Sequence, residues 1–287
     1  MDASDALRLA AIAFLGLTPL AMLWYLLRRP APEATMGLLD HVEELRRRIL
    51  YVLATIFIGA LFAFSFRIDN WTPKPAVQDN IAAQLFQRIT DHLVPDTVQL
   101  VVTRPMDGFL AEMMIAGAIG MVLAGPVFLY HASRYIGPAL RPQEIRTLQR
   151  TILPATLLFL AGAAFAWYAV LPFLLKTLYG YSEALGATSL LSINELVSFT
   201  LTMMITLGIA FETPLIMYAL SKADVVKPAT YTKYWRHATV AIFILSALIT
   251  DPTIISQVMV AAPLLLLYWL GVLWATTASR SQQPEAP

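Results

Sequence analysis

The 287-residue chain contains no cysteine. Disulfides, thiolate metal sites and a cysteine nucleophile are therefore excluded. Charge is scarce as well: Asp, Glu, Lys and Arg make up 14% of the residues, against about 25% in an ordinary soluble domain. The net charge of +1 argues against nucleic acid as a partner. Only four histidines occur, His41, His92, His131 and His237, and none sits mid-span beside a second, so a transmembrane haem pair has no ligands. Neither Gly-x-Ser-x-Gly nor His-Glu-x-x-His is present, nor a Gly-x-x-x-x-Gly-Lys-Ser/Thr phosphate loop. Intramembrane hydrolysis thus lacks its parts, and no cofactor or metal is expected.

What the chain has in abundance is apolar sequence, 58% hydrophobic with a mean hydropathy of +0.64. Its long uncharged runs match the roughly 20 residues that a bilayer-crossing helix needs. Leu9 to Leu27 has no charge and ends in Arg28-Arg29-Pro30. Its acidic start and trailing basic pair argue for an uncleaved anchor rather than a signal peptide, with the N-terminus outside. Residues 30–35 read as a stiff linker. Further spans are expected over Ile49–Phe66, Phe109–Tyr130, Thr151–Leu175, Leu196–Ser221, Ala238–Thr250 and Ile254–Trp274. The sixth of these seven has only 13 uncharged residues. An amphipathic stretch with Ile81, Leu85, Phe86 and Ile89 on one helical face predicts an outer surface helix, and residues 98–102 predict a short extended segment. Residues 176–194 predict a second outer loop with a surface helix.

Fourteen of the 20 Lys and Arg residues fall in segments assigned inside. That distribution predicts an inside C-terminus. The reading is all-α: a polytopic helical bundle with six core spans and one extra N-terminal span. Residues 1–35 form the anchor and linker, 36–279 the membrane domain, and 280–287 a polar tail.

The densest charge lies at the mouth of the second span, Asp40-His41-Val42-Glu43-Glu44-Leu45-Arg46-Arg47-Arg48. Asp40 is placed to cap a helix, with Glu43 three residues on as in a capping box. Glu44 is left with two possible roles. It can pair with Arg48 at i+4 on the surface, or it can stand at the water–lipid boundary to receive a cationic ligand. Glu144 falls in the first turn of a helix after Pro142, where the helix dipole favours a carboxylate. Glu212, followed by Pro214, lies inside a span, where a carboxylate is costly and marks a polar cavity or a partner.

Four segments, in order and at matching spacings, resemble the TatC family, the multi-span core of the twin-arginine protein translocase. They are His41 to Arg48, the loop Tyr135-Ile136-Gly137-Pro138-Ala139-Leu140-Arg141-Pro142-Gln143-Glu144, the span segment Gly208 to Pro214, and the turn Thr250-Asp251-Pro252-Thr253-Ile254-Ile255-Ser256-Gln257. Thr103 to Phe109 also looks like the family. The resemblance covers about residues 36–275. It implies a receptor for signal peptides bearing paired arginines, with Glu44 and Glu144 as the binding carboxylates and Arg46 and Tyr135 shaping the site. It implies that Glu212 and Gln257 contact single-span partner subunits of the TatA or TatB type, and that the protein is an oligomer in the cytoplasmic membrane, surrounded by lipid. The first anchor is unmatched in the family. In the outer turn Asp251 comes earlier than the family's aspartate, and Thr253 stands in that aspartate's place.

Three functions compete on these residues. A translocase receptor accounts for all the motifs. A proton-coupled small-molecule transporter using Glu212 would require broken helices meeting at the midplane and an internal repeat, and the sequence has neither. An intramembrane enzyme would require a nucleophile and base that are absent.

Overall fold

A computed structural model describes residues 38–66, 80–95, 97–136, 151–184, 186, 189–250 and 253–280. The helices are α1 (Leu38–Ser65), α2 (Ile81–Leu93), α3 (Asp107–Ile136), α4 (Ile152–Phe165), α5 (Leu171–Ala184), α6 (Ile193–Phe211), α7 (Thr213–Lys222), α8 (Pro228–Lys233), α9 (Trp235–Ile249) and α10 (Ile254–Arg280). A π-helical turn, Ala166–Val170, joins α4 to α5. Two short strands, β1 (Gln99–Val101) and β2 (Leu190–Ser192), pair with each other. Five helical stretches are long and apolar enough to cross a membrane: Leu39–Ser65, Asp107–Tyr135, Ile152–Ser182, Ile193–Lys222 and Ile254–Ala278. The shorter apolar helix is α9. Its 15 residues span about 22 Å at 1.5 Å per residue, short of the roughly 30 Å hydrocarbon core. The chain is a polytopic helical membrane protein. The expected first anchor, Leu9 to Leu27, lies outside the described residues.

The chain divides into two compact units. The first takes in residues up to 94, 100–152 and 190–198. Its centre is the crossing of α1 and α3. In lipid, helices associate by close packing rather than by hydrophobic exclusion, so small residues mark their contacts. Here Gly59 meets Gly120. A Cβ on Gly120 would lie 2.2 Å from the Ile56 carbonyl oxygen, and one on Gly59 would lie 2.9 Å from the Gly120 Cα.

α1 begins two residues before Asp40, because Leu38 and Leu39 extend the helix backwards. Asp40 therefore stands in the first turn, not at the cap, and the expected capping box is not formed. The Glu43 carboxylate instead accepts from Arg46 Nη1 at 3.2 Å on the exposed face.

α2 is held at its start by Asn80. The Asn80 Oδ1 accepts from the Ala83 N–H at 2.7 Å, as an N-cap should. Its Nδ2 donates to Glu112 Oε2 on α3 at 3.1 Å. One buried amide thus starts the surface helix and ties it to a span. The buried face of α2 is Ile81, Ala82, Ile89 and Leu93, while Leu85 and Phe86 are half-buried. Before α3 the chain doubles back around buried Asp107. One carboxylate oxygen accepts from Thr103 N (3.1 Å), Thr103 Oγ1 (2.6 Å) and Arg104 N (2.8 Å). This is the physical content of the Thr103–Phe109 motif.

The second unit takes in residues 95–99, 153–189 and 199 onwards. Among the described residues, the expected surface helix within 176–194 is not present as a separate element. α5 continues the fourth span to Ala184, and the π-helical turn Ala166–Val170 lies just before Pro172, whose missing N–H interrupts the regular ladder without ending the helix. α4 and α6 approach at Gly162 and Gly208: a Cβ on Gly162 would sit 2.5 Å from the Leu207 carbonyl oxygen. α7 and α10 approach at Gly271, where a Cβ would meet Met217 Sδ at 2.6 Å and the Pro214 Cα at 3.0 Å. Met217, Tyr268 and Val272 form a small core there, with Tyr231, Ala238 and Ile242 around it. The Tyr268 hydroxyl donates to the Tyr231 carbonyl at 2.8 Å and secures α8 against α10. At the start of α10, Thr253 Oγ1 accepts from the Ser256 N–H at 3.4 Å and bonds the Ser256 hydroxyl at 2.7 Å. Thr253 thus fills the cap position of α10 with a hydroxyl.

The glycine contact makes a paired prediction. Gly120→Ala drives a methyl into the Ile56 carbonyl and should lower stability by about 1–3 kcal/mol. Gly117→Ala and Gly125→Ala, on the same helix with nothing within 4 Å of the added carbon, should leave the melting temperature in detergent unchanged. Equal melting temperatures for all three would exclude the crossing as a tight contact.

Candidate functional site

The charged segment at the start of α1 packs beside the end of α3, both within the first unit. Glu44 is 6% exposed. It does pair with Arg48 at i+4, but not on the surface: the two side chains are 5% and 13% exposed. Arg48 Nε donates to Glu44 Oε1 at 3.0 Å, and Arg48 Nη2 donates to the same oxygen. A third donor, Arg48 Nη1, points at the His131 carbonyl of α3 at 3.5 Å. Glu44 Oε2 is buried and has no hydrogen-bond partner among the described residues.

Aromatic rings wall this patch. His131 stacks on Tyr51 of α1 with centroids 5.5 Å apart and meets Tyr130 edge-on. Neither His131 ring nitrogen has a partner among the described residues. Tyr135 stacks on His41 at 4.3 Å and 14° between planes. This contact draws the last turn of α3, where the expected binding loop begins, onto the first turns of α1. Arg46 points outward, its side chain 71% exposed, and pairs with Glu43. Glu144 lies outside the described residues.

The structure therefore brings together Glu44 and Tyr135 at one end of the first unit. The same end holds Arg48 and His41, from the first motif, and His131 and Tyr51, which no motif contains. The i+4 spacing signalled the Glu44–Arg48 pair, but nothing in the spacing signalled its burial. That comes from α3 lying across it.

Glu212 belongs to the second unit. The span Ile193–Lys222 is interrupted there, between α6 and α7. Pro214 has no N–H to give the Ala210 carbonyl four residues back. Thr213 Oγ1 donates to that carbonyl at 2.7 Å instead. The Glu212 N–H turns to the Ile209 carbonyl at 3.0 Å, and the Glu212 carbonyl accepts from Leu215 and Ile216. Every backbone group at the break named here has a partner, as an apolar environment demands. Glu212 itself is half-buried.

Gln257 sits near the start of α10 and donates through Nε2 to the Phe243 carbonyl of α9 at 2.9 Å. Glu212 and Gln257 are not at one level. The α7–α10 contact beside Glu212 is at Gly271, 14 residues along α10 from Gln257, or roughly 21 Å at 1.5 Å per residue. Among the described residues no group of His, Asp or Glu has the clustering of a metal site.

Comparison with known proteins places these features in a family. The family model described as Sec-independent protein translocase protein (TatC) matches residues 40–263. The TatC protein of Cenarchaeum symbiosum is 33% identical over 254 residues, covering 85% of this chain and 96% of its own. That of Aquifex aeolicus is 33% identical over 251 residues, covering 86% and 98%. A crystal structure titled as the twin arginine translocase receptor TatC superposes with a TM-score of 0.67 at 33% identity, covering 84% of this chain and all of the other. The apolar run Leu9 to Leu27 precedes the matched residues.

The break at Glu212 carries a prediction of its own. Thr213→Val keeps the shape but strands the Ala210 carbonyl, and should cost about 1–3 kcal/mol. Thr213→Ser keeps the hydroxyl and should melt within a degree or two of the parent in detergent. A valine variant as stable as the serine one would show that the carbonyl finds another donor.

Proposed function

The chain belongs to the TatC family of Sec-independent protein translocase proteins, and from that membership we propose how its residues serve the translocase. It is a multi-pass membrane component of the twin-arginine translocase, in a family that transports proteins and is not an enzyme family. The ligand is the signal peptide of folded cargo, and its paired arginines are read by Glu44 and Glu144. The observation that carries this reading is the buried Glu44 carboxylate, with one oxygen unpartnered among the described residues. A carboxylate accepts a guanidinium through two parallel hydrogen bonds, a planar match that an ammonium cannot make. At the edge of a low-dielectric slab that attraction is screened less than in bulk water. The stacked His41 and Tyr135 support the same reading, because they draw the chain leading to Glu144 toward the helix that holds Glu44. Arg46, exposed beside the site, contributes positive charge that steers orientation rather than a direct contact.

In this reading the Glu44 end faces the cytoplasm, in keeping with the arginines at 46–48, and the C-terminus is on the same side. The extra N-terminal span places the N-terminus outside. Glu212 receives a polar group of a single-span partner subunit within the membrane. Gln257 spends one amide hydrogen on Phe243 and offers the rest of its amide to a partner at the other end of α10. The assembly contains further copies of this chain. A proton-coupled transporter built on Glu212 has no support in the family match, and Pro214 accounts for the helix break beside that carboxylate.

Glu44→Gln and Glu144→Gln should each abolish crosslinking to a twin-arginine signal peptide while the protein remains inserted and folded. Retained crosslinking in both would end the site assignment. Glu212→Ala should reduce copurification of the single-span subunits while signal-peptide crosslinking persists. Loss of crosslinking with normal copurification would reverse the two roles.

A further inference from the structure

We propose that Arg48 is an internal stand-in for the ligand's arginine: its guanidinium occupies Glu44 while the site is empty and is displaced when a signal peptide binds. This rests on Glu44 being a binding carboxylate, as argued above. A buried carboxylate with no counter-charge is strongly destabilising, so a receptor that keeps one ready must neutralise it at rest. Arg48 does so with two donors on Oε1, while Oε2 has no partner among the described residues. An incoming guanidinium therefore finds no competing donor on Oε2 among the described residues and completes its fork by taking over Oε1. The exchange replaces one arginine–carboxylate pair by another, so little electrostatic energy is gained or lost. The displaced side chain has somewhere to go. Arg48 is 13% exposed, among the described residues its third donor makes only the 3.5 Å contact with the His131 carbonyl, and a long aliphatic stem lets the charged head reach water from the helix end.

A competitor of this kind lowers the affinity for every cation by the same factor. It therefore sets the threshold of recognition, not the preference between cations. A twin-arginine peptide binds through the exchange, whereas a lysine peptide, with a single point charge against a forked pair, falls below the threshold.

The test uses the full chain in detergent and two synthetic signal peptides, one with paired arginines and one with paired lysines, titrated by fluorescence anisotropy. Arg48→Lys keeps the charge but weakens the fork. Both peptides should bind roughly three- to tenfold more tightly, about one ordinary hydrogen bond's worth. The ratio of the two affinities should stay constant. Unchanged or weaker binding in the variant overturns the proposal, because an arginine that helps to hold the peptide would give that result. So does tighter binding with a collapsed ratio, which would make Arg48 a direct selector. Should the variant not fold, the unmodified protein answers by pulsed phenylglyoxal labelling read by peptide mapping. Arg48 should react roughly tenfold faster with the arginine peptide bound, since exchange removes its burial and pairing; equal or slower labelling overturns the proposal. If the parent protein fails to prefer arginine, or Glu44→Gln binds as the parent does, the Glu44 site assignment has failed, and Arg48 has no exchange to perform.

Discussion

A carboxylate buried at the end of a membrane helix cannot be left alone, and much of the first unit answers to Glu44. Arg48 neutralises it one turn along the same helix. α3 lies across the pair and offers the His131 carbonyl to the remaining donor. The rings of Tyr51 and Tyr130 flank the His131 ring.

Elsewhere the governing constraint is the cost of an unpaired backbone group in an apolar medium. It explains why polar side chains are spent locally. Thr213 repairs the carbonyl that Pro214 strands. Asp107 gathers the two N–H groups and the hydroxyl of the turn before α3. Asn80 closes the open end of α2 and reaches Glu112 as well. Glycines serve a complementary need. Where Gly59 meets Gly120, and where Gly271 meets Pro214 and Met217, the absence of a Cβ lets helices touch backbone to backbone. Such contacts replace the hydrophobic driving force that lipid removes.

The spans were legible because their signal is one-dimensional. A run of uncharged residues long enough to cross the bilayer has few other uses, and the helices over 38–65, 107–136 and 254–280 cover the expected runs. Boundaries were less legible. α5 passes through the expected loop, with Pro172 carried inside the continuous helical stretch just after the π-helical turn. The capping box at Asp40 and Glu43 failed because two leucines extended α1 backwards and Arg46 offered Glu43 a better partner. Of the site, Glu44 and Tyr135 were readable from their motifs. His131 and Tyr51 were not, because their contact joins residues far apart in the chain. Glu144 lies outside the described residues.

Residue order alone determined that this is a helical membrane protein, which family it resembles, and that Glu44 can reach Arg48. Each of these depends on composition, on short motifs or on spacing within a single helix, and none needs a distant residue. Whether that pair lies in water or away from it was decided only when α3 crossed α1 at two glycines and covered it. Burial is a property of neighbours brought together by packing, and it is burial that sets this ion pair apart from an ordinary surface one.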